Sequence, residues 1–122
     1  MRNFVLLASL MIVPGTALAQ SMNAETFYKR ATALQEKGPL ALLSSDEIKA
    51  LVSEAEAAGK RADEKRLAAI KAGKPPRYCP PEGPRTMGSD EFMKGLSSIS
   101  QAQRARINMT EATTRIVARK YP

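Results

Sequence analysis

Few side chains in this sequence are of the types that act in catalysis or bind metals, and Cys79 is the first of them. The sequence has one cysteine and no histidine. Without histidine there is no Ser-His-Asp or Cys-His nucleophile system, and the commonest zinc ligand is missing. Three interpretations remain for the Cys79 sulfur: a small buried apolar group, an intermolecular disulfide in a homodimer, or a reactive thiol.

Two pairs of neighbouring carboxylates are the other candidates for acid–base chemistry, Asp63-Glu64 and Asp90-Glu91. Neighbours in a helix point in different directions, so neither pair brings two carboxyl groups to one substrate. The sequence also has no phosphate-binding loop of the Gly-x-x-x-x-Gly-Lys type. We therefore expect a protein that is not an enzyme and that holds no metal and no cofactor.

Residues 1–19 have the layout of a secretory signal peptide. Arg2 gives a basic start, residues 4–13 are almost wholly apolar, and small residues end the segment at Ala19. The apolar run is too short for a bilayer, which takes about 20 helical residues, although an uncleaved anchor is the alternative. Gln20, which is not a cysteine, offers no acceptor for a lipid anchor. We predict cleavage after Ala19 and a periplasmic protein without a membrane span.

The remaining chain, residues 20–122, fits one small domain. Large aliphatic side chains are scarce in it, so a partner, a dimer or a disulfide would add much of its stability. Residues 65–122 carry twelve basic and four acidic side chains. This basic half could attract an acidic protein, an anionic lipid surface or an anionic wall polymer, or it could simply stay solvated. Export and the scarcity of aromatic residues argue against nucleic acid as a partner.

The sequence signals for helix starts and ends place these residues on helices or between them. No segment has the alternation of apolar and polar residues that is typical of a β-strand. Asn23 caps a first helix that Gly38-Pro39 ends, and Ser44 starts a long second helix. The apolar residues 39–43 join the two, and we expect them to pack against the core. Further helices are predicted to start at Ser89, at Ser100, and at Asn108 or Thr110. The pattern predicts an all-α domain of three to five helices.

A segment rich in proline and glycine, residues 73–88, separates the second and third helices. Its five prolines exclude a regular helix and favour an extended path. Tyr78 and Cys79 are its apolar anchors, so we predict an ordered loop. Loops held by a rigid scaffold often carry binding. The candidate partner contacts are Arg77, Tyr78, Glu82 and Arg85.

Three motifs follow one another in the second part of the chain, residues 78–122. They are Tyr78-Cys79-Pro80-Pro81-Glu82-Gly83, a short helix holding Phe92, Met93 and Leu96, and a last helix ending Ala118-Arg119-Lys120-Tyr121-Pro122. This arrangement resembles the Tai/Rap family of type VI secretion amidase immunity proteins. The resemblance implies an exported, all-helical protein, dimeric in several cases, that binds and blocks an amidase toxin that cuts peptidoglycan cross-links. It also implies a disulfide between the position of Cys79 and a cysteine just past that of Pro122.

Three functional hypotheses follow. The first is a periplasmic helical binding protein that blocks an amidase effector by steric occlusion, as the immunity proteins do. The second is a general periplasmic envelope or chaperone-like protein that binds anionic partners through its basic C-terminal half. The third is a divergent protein that keeps the family's fold without a toxin partner.

Overall fold

Helices account for 73% of the residues described in the computed structural model, which are 21–83 and 86–122. No strand occurs among them, so the predicted all-α fold is confirmed. The elements are α1 (Ala24–Glu36), a 3-10 helix (Gly38–Ser44), α2 (Ser45–Lys71), α3 (Ser89–Ser98), α4 (Gln101–Arg104) and α5 (Met109–Lys120). The predicted signal peptide and its cleavage site at Ala19 lie outside the described residues. Among the described helices, none has the length and apolar character that a bilayer span requires.

The predicted caps of three helices are present. The Asn23 side chain accepts hydrogen bonds from the backbone N–H groups of Glu25 and Thr26, at 3.0 and 3.1 Å, and so begins α1. Ser100 caps α4 in the same way, and Asn108 caps α5. Each cap satisfies backbone donors that the first turn of a helix leaves without a partner.

The prediction for residues 39–43 was wrong. Leu40, Leu42 and Leu43, which we call the leucine tip, are 65%, 78% and 85% exposed. Gly38 adopts φ +56°, and the chain then turns through the 3-10 helix directly into α2. This short turn packs mainly on the two helices that it joins, so its leucines do not reach the core.

The predicted start of α2 at Ser44 is confirmed, but the Ser44 side chain caps no backbone N–H. Its hydroxyl instead accepts a hydrogen bond from Lys37 Nζ at 3.2 Å. From there α2 runs 27 residues and packs most extensively on α5. Ala58 and Ala62 are buried on the side of α2 that contacts α5. Beyond Ala62, no residue of α2 is buried.

The core lies between α1, α3 and α5, with α2 against it. Its buried members are Ala24, Phe27, Leu51, Ala58, Leu96, Ile99, Met109, Ala112 and Ile116. The rings of Phe27 and Phe92 meet edge to face with centroids 6.1 Å apart. Only two of the large core side chains, Leu96 and Met109, are fully buried, so the core is as small as the composition implied.

The described chain begins with a short extended segment that pairs with the start of α5. Asn23 and Asn108 form an isolated antiparallel bridge. The Met109 N–H donates to the Met22 carbonyl at 2.7 Å, and the Ala24 N–H donates to the Ile107 carbonyl at 3.0 Å. These bonds hold α1 and α5 together at their N-terminal ends.

Candidate partner-binding groove

One face of α2 is apolar from Ile48 to Ala55 and carries charged side chains further along the helix. The residues of this face recur at helical spacing: Ile48, Leu51, Val52, Ala55, Glu56, Gly59, Lys60 and Asp63. With a rise of about 1.5 Å per residue, the face is about 22 Å long. It forms the long side of an open groove.

The opposite sides of this groove come from α1, α3, α5 and the described part of the loop between α2 and α3. The apolar lining contributed by these elements is Phe27, Ala31, Leu34, Tyr78, Met87, Phe92, Met93, Val117 and Tyr121. Together with α2 they enclose about 920 Å³, and we call this space the apolar groove. A space of this size is near the upper end of the range for ligand sites, which is about 300–1,000 Å³.

A buried threonine belongs to the lining of the groove. Thr113 on α5 is 5% exposed, and its Oγ1 has no hydrogen-bond partner among the described residues. Its neighbour Thr114 donates to the Thr110 carbonyl at 2.8 Å, as threonine in a helix commonly does. Other atoms of Thr113 line the groove, but its Oγ1 is itself covered, so the missing partner belongs to the packing of α5 and is not a contact point for a ligand.

Tyr78 holds the loop at one end of the groove. It is 3% exposed, which confirms it as the anchor of the loop. Its hydroxyl lies 3.4 Å from Asp63 Oδ1, and the Arg66 guanidinium lies over its ring, 5.6 Å from the centroid. The hydrogen bond from Arg66 to Asp63, 3.0 Å long, raises the pKa of the Arg66 guanidinium above its usual value. This cluster fixes the loop on α2.

Cys79 is exposed, so the interpretation of its sulfur as a small buried apolar group was wrong. The side chain of Tyr78 turns inward, and that of the next residue in this extended segment turns outward. The Cys79 N–H donates to the Tyr121 carbonyl at 3.0 Å. Cys79 therefore lies beside the end of the last helix, where the family resemblance implies a disulfide partner.

The other predicted contact residues differ in their surroundings. Arg77 is exposed but forms an ion pair with Glu111 of α5. The hydrogen bond from Arg77, and to a lesser extent that from Arg115, lowers the pKa of the Glu111 carboxyl. Glu82 is exposed, and Arg85 lies outside the described residues. The Tyr78 ring is buried beneath the loop, where it forms part of the groove lining.

The structure does not bring the neighbouring carboxylates together as acid–base pairs. Asp63 bonds Arg66, whereas Glu64 is exposed on another side of α2. At α3, Glu91 forms an ion pair with Lys120 at 2.9 Å, and Asp90 is exposed. Within residues 21–83 and 86–122, no three side chains of the metal-binding types gather into a group.

A second, polar pocket of about 540 Å³ lies where the described chain begins. Arg61 donates to Thr110 Oγ1 at 2.9 Å, to Ser21 Oγ at 3.1 Å and to Glu54 Oε1 at 2.8 Å. The Thr110 N–H donates to Ser21 Oγ at 3.0 Å. These groups satisfy one another and tie the first described residues to α2 and α5, so we assign them a structural role.

Comparison with known proteins identified no relative of this chain. No family model matches it, and no curated protein or solved structure is significantly similar to it. The groove itself was not predicted from the sequence. The signal that could have located the groove is the set of apolar residues on one side of α2. Their spacing is equally typical of residues that belong to the core.

Proposed function

We propose that this chain is an exported, non-catalytic binding protein that blocks a peptidoglycan amidase toxin by covering its cleft. The apolar groove is the observation that carries the proposal. Concave sites lined mainly by apolar and aromatic side chains, with a few polar groups at the edge, are the usual form of binding sites. The resemblance of residues 78–122 to amidase immunity proteins supplies the kind of partner.

Two apolar surfaces are available to such a partner, and they are neighbours. Leu34 and Ile48 line one end of the groove, and in the sequence they flank the leucine tip on its two sides. The tip is convex and the groove is concave. Occlusion needs this kind of shape complementarity with a partner, and it requires no catalytic group on the blocking protein.

The predicted contact loop forms one side of the groove, where Gly83, Thr86 and Met87 are part of the lining. Arg77 and Glu82 are exposed on the same loop. Prolines restrict the loop before binding, which lowers the entropy lost when a partner orders it. A partner seated in the groove would therefore also touch the loop.

Titration of peptidoglycan amidase effectors from related genomes with the protein lacking residues 1–19 tests the proposal. We expect stoichiometric inhibition of at least one effector and a stable complex in gel filtration. Leu42→Ser combined with Leu43→Ser should weaken the complex. Leu67→Ser, which is the same kind of change outside both surfaces, should not. A protein that leaves every effector of such a panel active and unbound would refute the proposal.

A second candidate is the binding of anionic envelope polymers by the basic half. Lys65, Lys71 and Lys74 are exposed at the end of α2 and just beyond it, and they form no ion pair within the described residues. Binding through them should weaken steeply between 0.01 M and 0.15 M salt, as the Debye length falls from about 30 Å to about 8 Å. Cosedimentation with isolated cell-wall material across this range separates the candidates, because a buried apolar interface responds much less to salt.

A further inference from the structure

We draw no further inference here: the strongest candidate, the apolar groove between α2 and the facing sides of α1, α3 and α5, is an open face, and nothing in the described part of the structure shows what covers it.

Discussion

The guanidinium of Arg104 and the carboxylate of Glu25 form a buried ion pair across 79 residues of sequence, with Nε and Oε2 2.6 Å apart. The guanidinium also lies over the Tyr28 ring, 3.9 Å from its centroid, and donates to the Ile99 carbonyl. The pair joins α1 to α4 at the edge of the core. Buried charges persist only where partners such as these compensate for lost water.

Removing the charge of Glu25 should therefore destabilise the fold strongly. We expect Glu25→Gln to lower the free energy of unfolding by about 3 kcal/mol, because Arg104 is left buried without its counter-charge. Urea denaturation followed by circular dichroism measures this. Glu91→Gln removes the same charge from an exposed pair with Lys120 and should cost less than about 1 kcal/mol. Equal costs at the two positions would contradict a buried role for the pair of Arg104 and Glu25.

Gly95 is required by the close approach of α3 to α5. A methyl group at this position would lie 2.9 Å from Ile116 Cγ2 and 3.1 Å from Cγ1. Gly95→Ala should destabilise the protein by about 1 kcal/mol net, because the overlap outweighs the gain in helix propensity. Gly59→Ala in α2 meets no atom within 4 Å and should stabilise by about 1 kcal/mol. Thermal denaturation of both variants should thus give shifts of opposite sign.

The ion pair between Glu111 and Arg77 should make stability depend on pH in the acid range. The pKa of Glu111 is lowered by the hydrogen bond from Arg77, so its charged form is favoured in the folded state. Its contribution is therefore complete above the usual carboxyl pKa of 4.5 and is lost as the pH falls through the lowered value. The difference in unfolding free energy between the protein and Glu111→Gln should be largest near neutral pH and should vanish in strong acid.

The leucine tip should contribute little to stability in spite of its composition. Leu42→Ser and Leu43→Ser should each change the unfolding free energy by less than about 0.5 kcal/mol, because both side chains are in solvent already. Leu51→Ala, at a buried position of α2, should cost about 2–5 kcal/mol. A large cost at the tip would show that residues 39–43 are covered in solution.

Cys79 should react readily in the folded protein. A maleimide reagent should label it without denaturant, because the thiol is exposed beside Tyr121. Non-reducing electrophoresis of the protein distinguishes the two interpretations that remain. A dimer band lost on reduction supports an intermolecular disulfide, and a free thiol in a monomer contradicts it.

The features that could be predicted from the sequence are those that depend on residues close to one another in the chain. The caps at Asn23, Ser100 and Asn108 were predictable because each involves a side chain and a backbone N–H two or three residues ahead. The start of α2 at Ser44 was predictable too, although the Ser44 hydroxyl caps no N–H and accepts a hydrogen bond from Lys37 instead.

Burial was predictable only where the helices meet. The apolar residues of α2 recur at helical spacing, and Leu51, Ala58 and Ala62 among them are buried. Spacing shows which residues share a face, but it does not show whether another element covers that face. Val52 and the leucine tip are exposed for this reason, and the pairing of Arg104 with Glu25 leaves no local signal at all.

The pairing of Met22 and Asn23 with Asn108 and Met109 also bears on the order in which the chain can fold. Some 85 residues separate the two segments, so their bonds close one of the longest loops in the domain. A chain that is synthesised from its N-terminus cannot close this loop until α5 has been made. The domain is thus completed late, and until then the face of α1 that will meet α5 stays accessible to chaperones.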